Sequence, residues 1–351
     1  MFDRPRLSSE YPCGVLEFTA VAEPKPGPLL AARFEATWPA YRRWYLRDGD
    51  AARPSYPVVR EALHAHMPEL VPAWERIVEL VAGGDLAARM LSLYDPPPLV
   101  TGCSQAVVGG VLIRNYDFDP ALLEGVIART ELSRPVVGMT DCIWGLLDGI
   151  NDAGLSMSLA FGGRRATAPG FAMPLVVRYL LELCETTAEA VSKLARLPVQ
   201  ASYNLTILDR AGEAVTAHVA PDRPLSVGEA LVATNHQHAV EWPEHGEAVR
   251  SEERERHMLE LIERGDLAVE HFLEPPLYNT DYDDGFGTLY TAAYRPADAA
   301  VDFCWPGLTW RQSCAAFEEG IRAVRLPSWK RSKDSSHEAP GQENSALPSA
   351  G

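Results

Sequence analysis

The chain has 351 residues, 46% of them hydrophobic, which is enough to bury a core of enzyme size. Its 32 lysines and arginines face 48 aspartates and glutamates, a formal net charge of −16 that excludes the basic surface needed for nucleic-acid binding. No run approaches the ~20 apolar residues of a membrane span and no secretory signal pattern opens the chain, so we expect a cytosolic protein whose six cysteines stay thiols.

The first hundred residues are predicted to be mainly helical. Between Leu29 and Arg47 bulky side chains recur at three- and four-residue steps and share one helix face, which favours packing over a ligand site. Three more helices are predicted, at Val58–His66, Val71–Val81 and Leu86–Tyr94. Residues 1–102 are therefore expected to form a helical N-terminal segment.

The pattern changes after Asp95-Pro96-Pro97-Pro98, because proline removes an amide donor and favours extended backbone in the residue before it. Cys103–Val108, a Gly109-Gly110 turn and Val111–Phe118 then have the pattern of an antiparallel hairpin. Further strands are predicted at Pro135–Thr140, Leu155–Phe161, Tyr203–Leu208, Ala214–Val219, Leu231–Thr234, Thr288–Tyr294 and Ala300–Trp305.

Three helices are predicted among these strands, at Pro174–Cys184, Ala188–Leu197 and Glu252–Arg264. Hairpins interrupted by paired helices indicate an α+β fold of antiparallel sheets covered by helices, and not a doubly wound parallel sheet. The sequence predicts one domain over residues 103–330. The polar residues 331–351 have almost nothing to bury and are expected to be a disordered tail.

One cysteine has neighbours suited to chemistry. In the predicted hairpin, Gly102-Cys103 lies beside the segment Arg114-Asn115-Tyr116-Asp117, whose arginine and carboxylate are able to orient a thiol and stabilise a thiolate. A lone cysteine is more often a small buried hydrophobe, and packing is the expected role of the other five: Cys13, Cys142, Cys184, Cys304 and Cys314.

Five segments in one order, from about residue 100 to 295, resemble motifs of the N-terminal nucleophile (Ntn) hydrolase superfamily. The resemblance is to the autoproteolytic acyl-CoA:6-aminopenicillanic acid acyltransferase family and its relatives, the choloylglycine and penicillin V hydrolases. The segments are Gly102-Cys103, Arg114-Asn115-Tyr116-Asp117, Asp148–Leu155, Thr234-Asn235-His236 and Gly287-Thr288-Leu289-Tyr290.

The resemblance implies a four-layer αββα sandwich of two antiparallel sheets, with self-cleavage between Gly102 and Cys103. The thiol of Cys103 would attack the unhindered Gly102 carbonyl, and water would resolve the thioester. Cleavage would free an α-amine with a pKa of about 7.7–8.0, near the ~8.5 of a free thiol. Nucleophile and base would then belong to one residue.

The resemblance also implies roles for individual side chains. Asp117 would hold the α-amine or the thiol, and Arg114 would lower the pKa of the thiol. Asn235 would donate to the oxyanion, and removal of such a donor costs about 3 kcal/mol in comparable sites. Asn151 is a second, weaker candidate for that donor. The bile-salt and penicillin V branch carries a late-strand arginine where this chain has Gly287-Thr288-Leu289, which favours the acyltransferase-like branch.

Each of these assignments has a structural alternative. Arg114 and Asp117 would also suit a plain ion pair on a strand, and Asn151 or Asn235 a turn residue that bonds the backbone. Four apolar residues would suit either an acyl pocket near the nucleophile or the core: Tyr116, Met139, Trp144 and Phe161.

Two histidine pairs suggest a metal but lack a convincing third ligand. Residues two apart on a helix face different ways, which makes His64 and His66 poor joint ligands, and His236 and His238 would share a strand face only as a pair. No metal and no cofactor are therefore expected.

The leading hypothesis is a self-processing cysteine amidohydrolase that acts on linear N-acyl amides through a thioester, with a small acyl amide or acyl thioester as its partner. An acyl-CoA-dependent N-acyltransferase is the alternative in the same superfamily, and an uncleaved, non-catalytic binding protein is the alternative of another class. No nucleic acid or membrane is expected as a partner. The two fragments should stay associated, and the oligomeric state is left open, a homo-oligomer included.

Overall fold

The computed structural model describes residues 14–228 and 231–327, so Cys13 and the predicted tail 331–351 lie outside the described residues. Within these ranges no helix is both long and apolar enough to traverse a bilayer. The helices are α1 (Pro28–Tyr45), α2 (Tyr56–His66), α3 (Val71–Val81), α4 (Gly84–Leu91), α5 (Met173–Leu183), α6 (Thr187–Leu194), α7 (Pro243–Ala248) and α8 (Ser251–Glu263).

The described strands form two sheets. In chain order they are β1 (Val15–Ala22), β2 (Gly102–Val108), β3 (Val111–Phe118), β4 (Val126–Glu131), β5 (Pro135–Asp141), β6 (Gly145–Asn151), β7 (Ser156–Phe161), β8 (Tyr203–Leu208), β9 (Ala214–Ala220), β10 (Arg223–Gly228), β11 (Val232–Ala233), β12 (Gly287–Arg295), β13 (Ala300–Trp305), β14 (Leu308–Ser313) and β15 (Gly320–Arg325). The larger sheet has the order β10-β9-β8-β7-β6-β5-β4-β1-β15, and the smaller has the order β11-β2-β3-β12-β13-β14.

Antiparallel pairing dominates both sheets. Every pair in the six-stranded sheet is antiparallel, and in the nine-stranded sheet only β1 and β4 run parallel among the described strands. Side-chain contacts join the inner faces, since Gln105 of β2 donates to the Asn204 carbonyl at 3.2 Å and Arg114 of β3 donates to the Leu159 carbonyl at 3.0 Å.

Helices cover the outer face of each sheet. On the nine-stranded sheet, α5 lies so close to β6 that a Cβ placed on Gly149 would meet the Leu181 side chain at 2.8 Å. On the other sheet, Met258 and Leu261 of α8 are buried in one cluster with Ala106 of β2 and Ile113 of β3. The layers are therefore helix, sheet, sheet and helix, which confirms the predicted α+β sandwich.

The N-terminal segment contributes more than helices. Helices α1 to α4 follow the predicted pattern, but β1 was not predicted, and it is inserted between β4 and β15 in the large sheet. Phe18 of β1 is fully buried, with its ring centroid 4.7 Å from that of Trp305 and 6.3 Å from that of Tyr290. The segment before Gly102 is thus built into the core of residues 103–327.

Candidate active site

Cys103 lies near the start of β2, where the chain runs antiparallel to β3. Gly102 is opposite Asp117, and Cys103 is opposite Tyr116. A Cβ on Gly102 would stand 3.0 Å from the Asp117 Cβ, so a larger residue before the cysteine would crowd the Asp117 side chain.

The sulfur of Cys103 is completely buried, yet it is not in apolar surroundings. Arg114 Nη2 donates to Sγ at 3.2 Å, and the Thr101 hydroxyl lies 3.7 Å from it. Burial raises the pKa of the thiol, and the Arg114 guanidinium lowers it without cancelling the effect of burial. The arrangement keeps a protonated thiol beside a cation that stabilises the thiolate once it forms.

Arg114 is fixed by a buried polar network. Its Nη1 pairs with the Asp148 carboxylate of β6 and contacts the Tyr290 hydroxyl at 2.8 Å. The Tyr290 and Tyr294 hydroxyls of β12 both donate to Asp148, and burial raises the pKa of each phenol, which keeps them protonated. Asp148 stands in one of the five sequence motifs, but its role as the counter-ion of Arg114 was not predicted.

Asp117 faces the opposite side of β3 from Arg114, as a spacing of three residues requires on a strand. Its Oδ1 accepts from the Thr288 hydroxyl at 2.7 Å, and its Oδ2 accepts from Arg254 Nη1 at 2.5 Å. Burial raises the pKa of the Asp117 carboxyl, while Arg254 and Thr288 act against that shift. Hydrogen bonds link Asp117 to Cys103 through Arg254 and Asn235, whereas the sequence predicted a direct contact.

Asn235 contacts both Cys103 and the segment before it. Its Oδ1 accepts from the Cys103 backbone nitrogen at 2.8 Å and from Arg254 Nη2 at 2.9 Å. Its Nδ2 donates to the carbonyl oxygens of Thr101 at 3.2 Å and Phe161 at 3.0 Å. Asn235 thus has its Oδ1 atom on the Cys103 nitrogen and its Nδ2 atom on the carbonyl that precedes Gly102, which places a carboxamide donor beside the nucleophile candidate.

Asn151 lies elsewhere, and the structure does not bring it to Cys103 as the second oxyanion donor that the sequence suggested. Its Nδ2 donates to the carbonyls of Leu181 at 2.9 Å and Cys184 at 2.8 Å, while its Oδ1 accepts from the Leu155 backbone. Alternation along β6 turns Asn151 towards α5, on the face opposite Asp148. It satisfies carbonyls at the end of α5, which is the backbone-bonding alternative.

The four proposed acyl-pocket residues do not form one group around Cys103. Tyr116 is opposite Cys103, and the Phe161 carbonyl accepts from Asn235, so these two lie at the site. Met139 is buried opposite Asp148 on the neighbouring strand. Trp144 lies elsewhere, because its indole donates to the Leu91 carbonyl of α4 and its ring lines a small cavity beneath α1.

His236 is linked to Asn235 by hydrogen bonds through Ser251. The Ser251 hydroxyl accepts from the Asn235 backbone nitrogen at 2.9 Å and lies 2.8 Å from His236 Nδ1, whose other ring nitrogen is 3.1 Å from Glu255. Within residues 14–228 and 231–327, no group of three or more histidine, cysteine, aspartate or glutamate side chains is arranged to hold a metal ion.

A comparison with protein families matches the part of the chain that carries Arg114, Asp117 and Asn235. The model of the acyl-coenzyme A:6-aminopenicillanic acid acyl-transferase family matches residues 105–310, which is more than half of the 351 residues. The chain belongs to this family. The match begins just after Cys103 and contains Arg114, Asp117 and Asn235, so the resemblance inferred from the five motifs is confirmed.

Several solved structures are similar to this member of the acyl-transferase family at low sequence identity. A point variant of conjugated bile acid hydrolase from Clostridium perfringens is 10% identical, with 67% of this chain and 99% of that chain covered and a TM-score of 0.43. Penicillin V acylase from Agrobacterium tumefaciens is 13% identical, with 66% and 85% covered and a TM-score of 0.38. The Caenorhabditis elegans ortholog of N-acylethanolamine-hydrolyzing acid amidase is 17% identical, with 56% and 93% covered and a TM-score of 0.39. No curated protein matches the chain.

Arg254 of this acyl-transferase family member is a further residue at the site, and the sequence did not predict it. The segment Gly287-Thr288-Leu289 starts β12 beside β3 and carries no arginine, but Arg254 brings a guanidinium to Asp117 from α8 instead. One signal was present: Arg254 stands at i, with Met258 and Leu261 at i+4 and i+7, on the apolar stripe of an otherwise charged helix. A charged residue on a buried stripe requires a buried partner.

Proposed function

We propose that the chain is an autoproteolytic cysteine amidohydrolase that acts on linear N-acyl amides, with Cys103 as nucleophile. The proposal rests on two hydrogen bonds to Cys103. Arg114 donates to its sulfur at 3.2 Å, and Asn235 accepts from its backbone nitrogen at 2.8 Å. A residue that supplies both a nucleophile and, after cleavage, a base needs both of its atoms placed in this way.

Self-cleavage would begin at the bond between Gly102 and Cys103. Sγ attacks the Gly102 carbonyl carbon, the C–N bond breaks, and the proton of the thiol ends on the new α-amine. The resulting thioester joins Gly102 to Sγ. Water then hydrolyses it, which releases the thiol and leaves a carboxylate on Gly102. The Arg114 guanidinium supports the thiolate character that the attack requires.

Turnover would repeat the chemistry on an external amide. The α-amine of Cys103 takes the proton of the thiol, and Sγ attacks the acyl carbonyl. The Asn235 Nδ2 group donates to the developing oxyanion, and the amine passes its proton to the leaving nitrogen as the acyl thioester forms. Water completes the cycle and returns the thiol.

The proposal divides the chain into two fragments, residues 1–102 and a catalytic domain over 103–330, that stay together after cleavage. Support comes from β1, which is paired on both sides by strands that follow Cys103. Cleavage removes no buried area, so the association needs no new contact. We keep the cytosol as the expected compartment, where the free thiols of Cys103, Cys142, Cys184, Cys304 and Cys314 would stay reduced.

Acyl transfer from a CoA thioester to an amine is the second candidate, and the name of the matched family favours it. The two candidates share every step up to the acyl thioester and differ in the final acceptor. Consumption of an acyl-CoA measured with and without an added amine separates them. Faster consumption with formation of the N-acyl product supports the transferase.

The amidohydrolase proposal is tested by trapping the acyl group. A series of N-acyl p-nitroanilides of graded chain length is mixed with the purified protein, and the fragments are weighed after a rapid acid quench. We expect the mass of one acyl group on the fragment that begins at Cys103. Cys304→Ala, which removes another buried thiol, should behave like the unmutated protein. Acyl groups on another residue, or release of p-nitroaniline by Cys103→Ala at the normal rate, would overturn the proposal.

A further inference from the structure

Arg254 and the backbone nitrogen of Cys103 share one acceptor. The Asn235 Oδ1 atom accepts from Arg254 Nη2 at 2.9 Å and from Cys103 N at 2.8 Å. Arg254 is 1% exposed, so its charge is hardly screened by solvent. The guanidinium is therefore separated by a single bridging oxygen atom from the nitrogen that cleavage would convert into an amine.

We propose that Arg254 keeps the α-amine of Cys103 uncharged after cleavage, by holding a positive charge across the Asn235 side-chain oxygen from it. The inference rests on the proposed function, because the amine exists only once the bond to Gly102 has been broken. Arg254 would thus act as a positioning residue, through Asn235 and through its electrostatic field, and would not touch the substrate.

The physical reason is repulsion between like charges in a site with little water. An ammonium group and a guanidinium that bond the same neutral oxygen repel each other, whereas an uncharged amine donates one hydrogen to Oδ1 without that cost. A base must also carry its lone pair. An amine with an ordinary pKa of about 7.7–8.0 would be largely protonated at neutral pH, and a nearby cation lowers that fraction.

The other charged groups near Cys103 are Arg114, which also favours an uncharged amine, and Asp117, which opposes it. Arg114 of β3 presents a second guanidinium, and its counter-ion Asp148 is bonded to Nη1, on the side away from the Nη2 that contacts the sulfur. Asp117 acts against the inference, but both of its oxygens are bonded, to Thr288 and to Arg254. His245 of α7, near the backbone of Thr101, has its pKa lowered to about 4 by burial and is uncharged at neutral pH.

A purely structural role of Arg254 predicts a different result. If the guanidinium only held Asn235 and Asp117 in place, its loss would lower the rate by a similar factor at every pH. If it controls the charge of the amine, its loss changes the pH at which the amine becomes uncharged. The position of the pH profile, and not the size of the rate, therefore decides between the two roles.

The experiment measures how the charge of the amine depends on pH. The cleaved full-length protein is treated with potassium cyanate, which carbamoylates uncharged amines, and the fragment that begins at Cys103 is weighed at a series of pH values. We expect Arg254→Met to move the midpoint to higher pH by about one unit, a tenfold change in the uncharged fraction. Arg254→Lys, which retains a cation, should restore part of the shift. Arg256→Met is the matched control, because Arg256 is an exposed arginine on the same helix.

A second variant tests the direction in which a change of charge moves the midpoint. Asp117→Asn removes the negative charge paired with Arg254 and should move the midpoint to lower pH. Equal midpoints in the unmutated protein and Arg254→Met would overturn the inference, and so would folded Arg254→Met and Arg254→Lys proteins that both fail to self-cleave. If the unmutated protein is not cleaved, the proposed function itself fails. If it is cleaved and the midpoints coincide, only this inference fails.

Discussion

Arg114 Nη2 lies 3.2 Å from Cys103 Sγ although both residues are fully buried. A guanidinium in such a place is costly unless its charge is paired, and the Asp148 carboxylate pairs with Arg114 while the Tyr290 hydroxyl accepts from its Nη1. A buried network of this cost, directed at one thiol, supports a chemical role for that thiol over simple packing.

Replacement of Arg114 should make the Cys103 thiol harder to ionise. Burial raises the pKa of the thiol and Arg114 lowers it, so Arg114→Met should raise it further and leave less thiolate at neutral pH. We expect slower self-cleavage and a pH dependence of Cys103 alkylation that moves to higher pH, both followed by mass spectrometry. Arg114→Lys should fall between the two proteins. An unchanged alkylation profile in a folded Arg114→Met protein would argue that the guanidinium has no influence on the sulfur.

Asn235 is expected to matter for the rate. Asn235→Ala removes the Nδ2 donor, and loss of one such donor lowers kcat about 10²- to 10³-fold in comparable sites. The measurement is the hydrolysis rate of the best N-acyl p-nitroanilide at saturating substrate. A kcat within twofold of the unmutated protein would exclude Asn235 as the main oxyanion donor.

Asn151 is expected to matter for stability instead. Asn151→Ala leaves the carbonyls of Leu181 and Cys184 without their donor, which should lower the free energy of unfolding by about 1–3 kcal/mol. Urea denaturation measures the change. The self-cleavage rate and kcat of the folded variant should stay within about twofold of those of the unmutated protein. A large loss of kcat with normal stability would show that Asn151 takes part in catalysis.

Acidification should destabilise the fold through His245. Burial lowers the pKa of His245 to about 4 from an ordinary value of 6.5. A lowered folded-state pKa means that its contribution to stability is complete above pH 6.5 and is lost as the pH falls towards 4. We expect His245→Phe to weaken the pH dependence of the unfolding free energy in that window, by at most about 3 kcal/mol. His218, whose pKa burial also lowers to about 4, should account for part of the remaining slope.

Local patterns predicted most of the elements near the site. The hairpin of β2 and β3 follows from alternation and a glycine pair, and α3 follows from its apolar spacing. The strand β6 was missed because all its residues are buried, and two glycines with an aspartate resemble a turn. The role of Asp148 in this strand depends on its ion pair with Arg114 of the other sheet, which only the fold reveals.

The partners within the site required the fold. Strand alternation alone places Arg114 and Asp117 on opposite faces, so their separation was available from the sequence. The contact between Asp117 and Arg254 was not, because it joins residues 137 positions apart that sit on a strand and a helix. Side chains that act together are adjacent through tertiary packing, which local periodicity does not encode.

Self-cleavage is tested most directly by the intact mass of freshly purified full-length protein, measured under denaturing conditions beside Cys103→Ala and Cys304→Ala. We expect two fragments divided between Gly102 and Cys103 for the unmutated protein and Cys304→Ala, and one uncut chain for Cys103→Ala. A single full-length species from the unmutated, folded protein would rule out self-cleavage and favour a binding protein that keeps the fold without the chemistry.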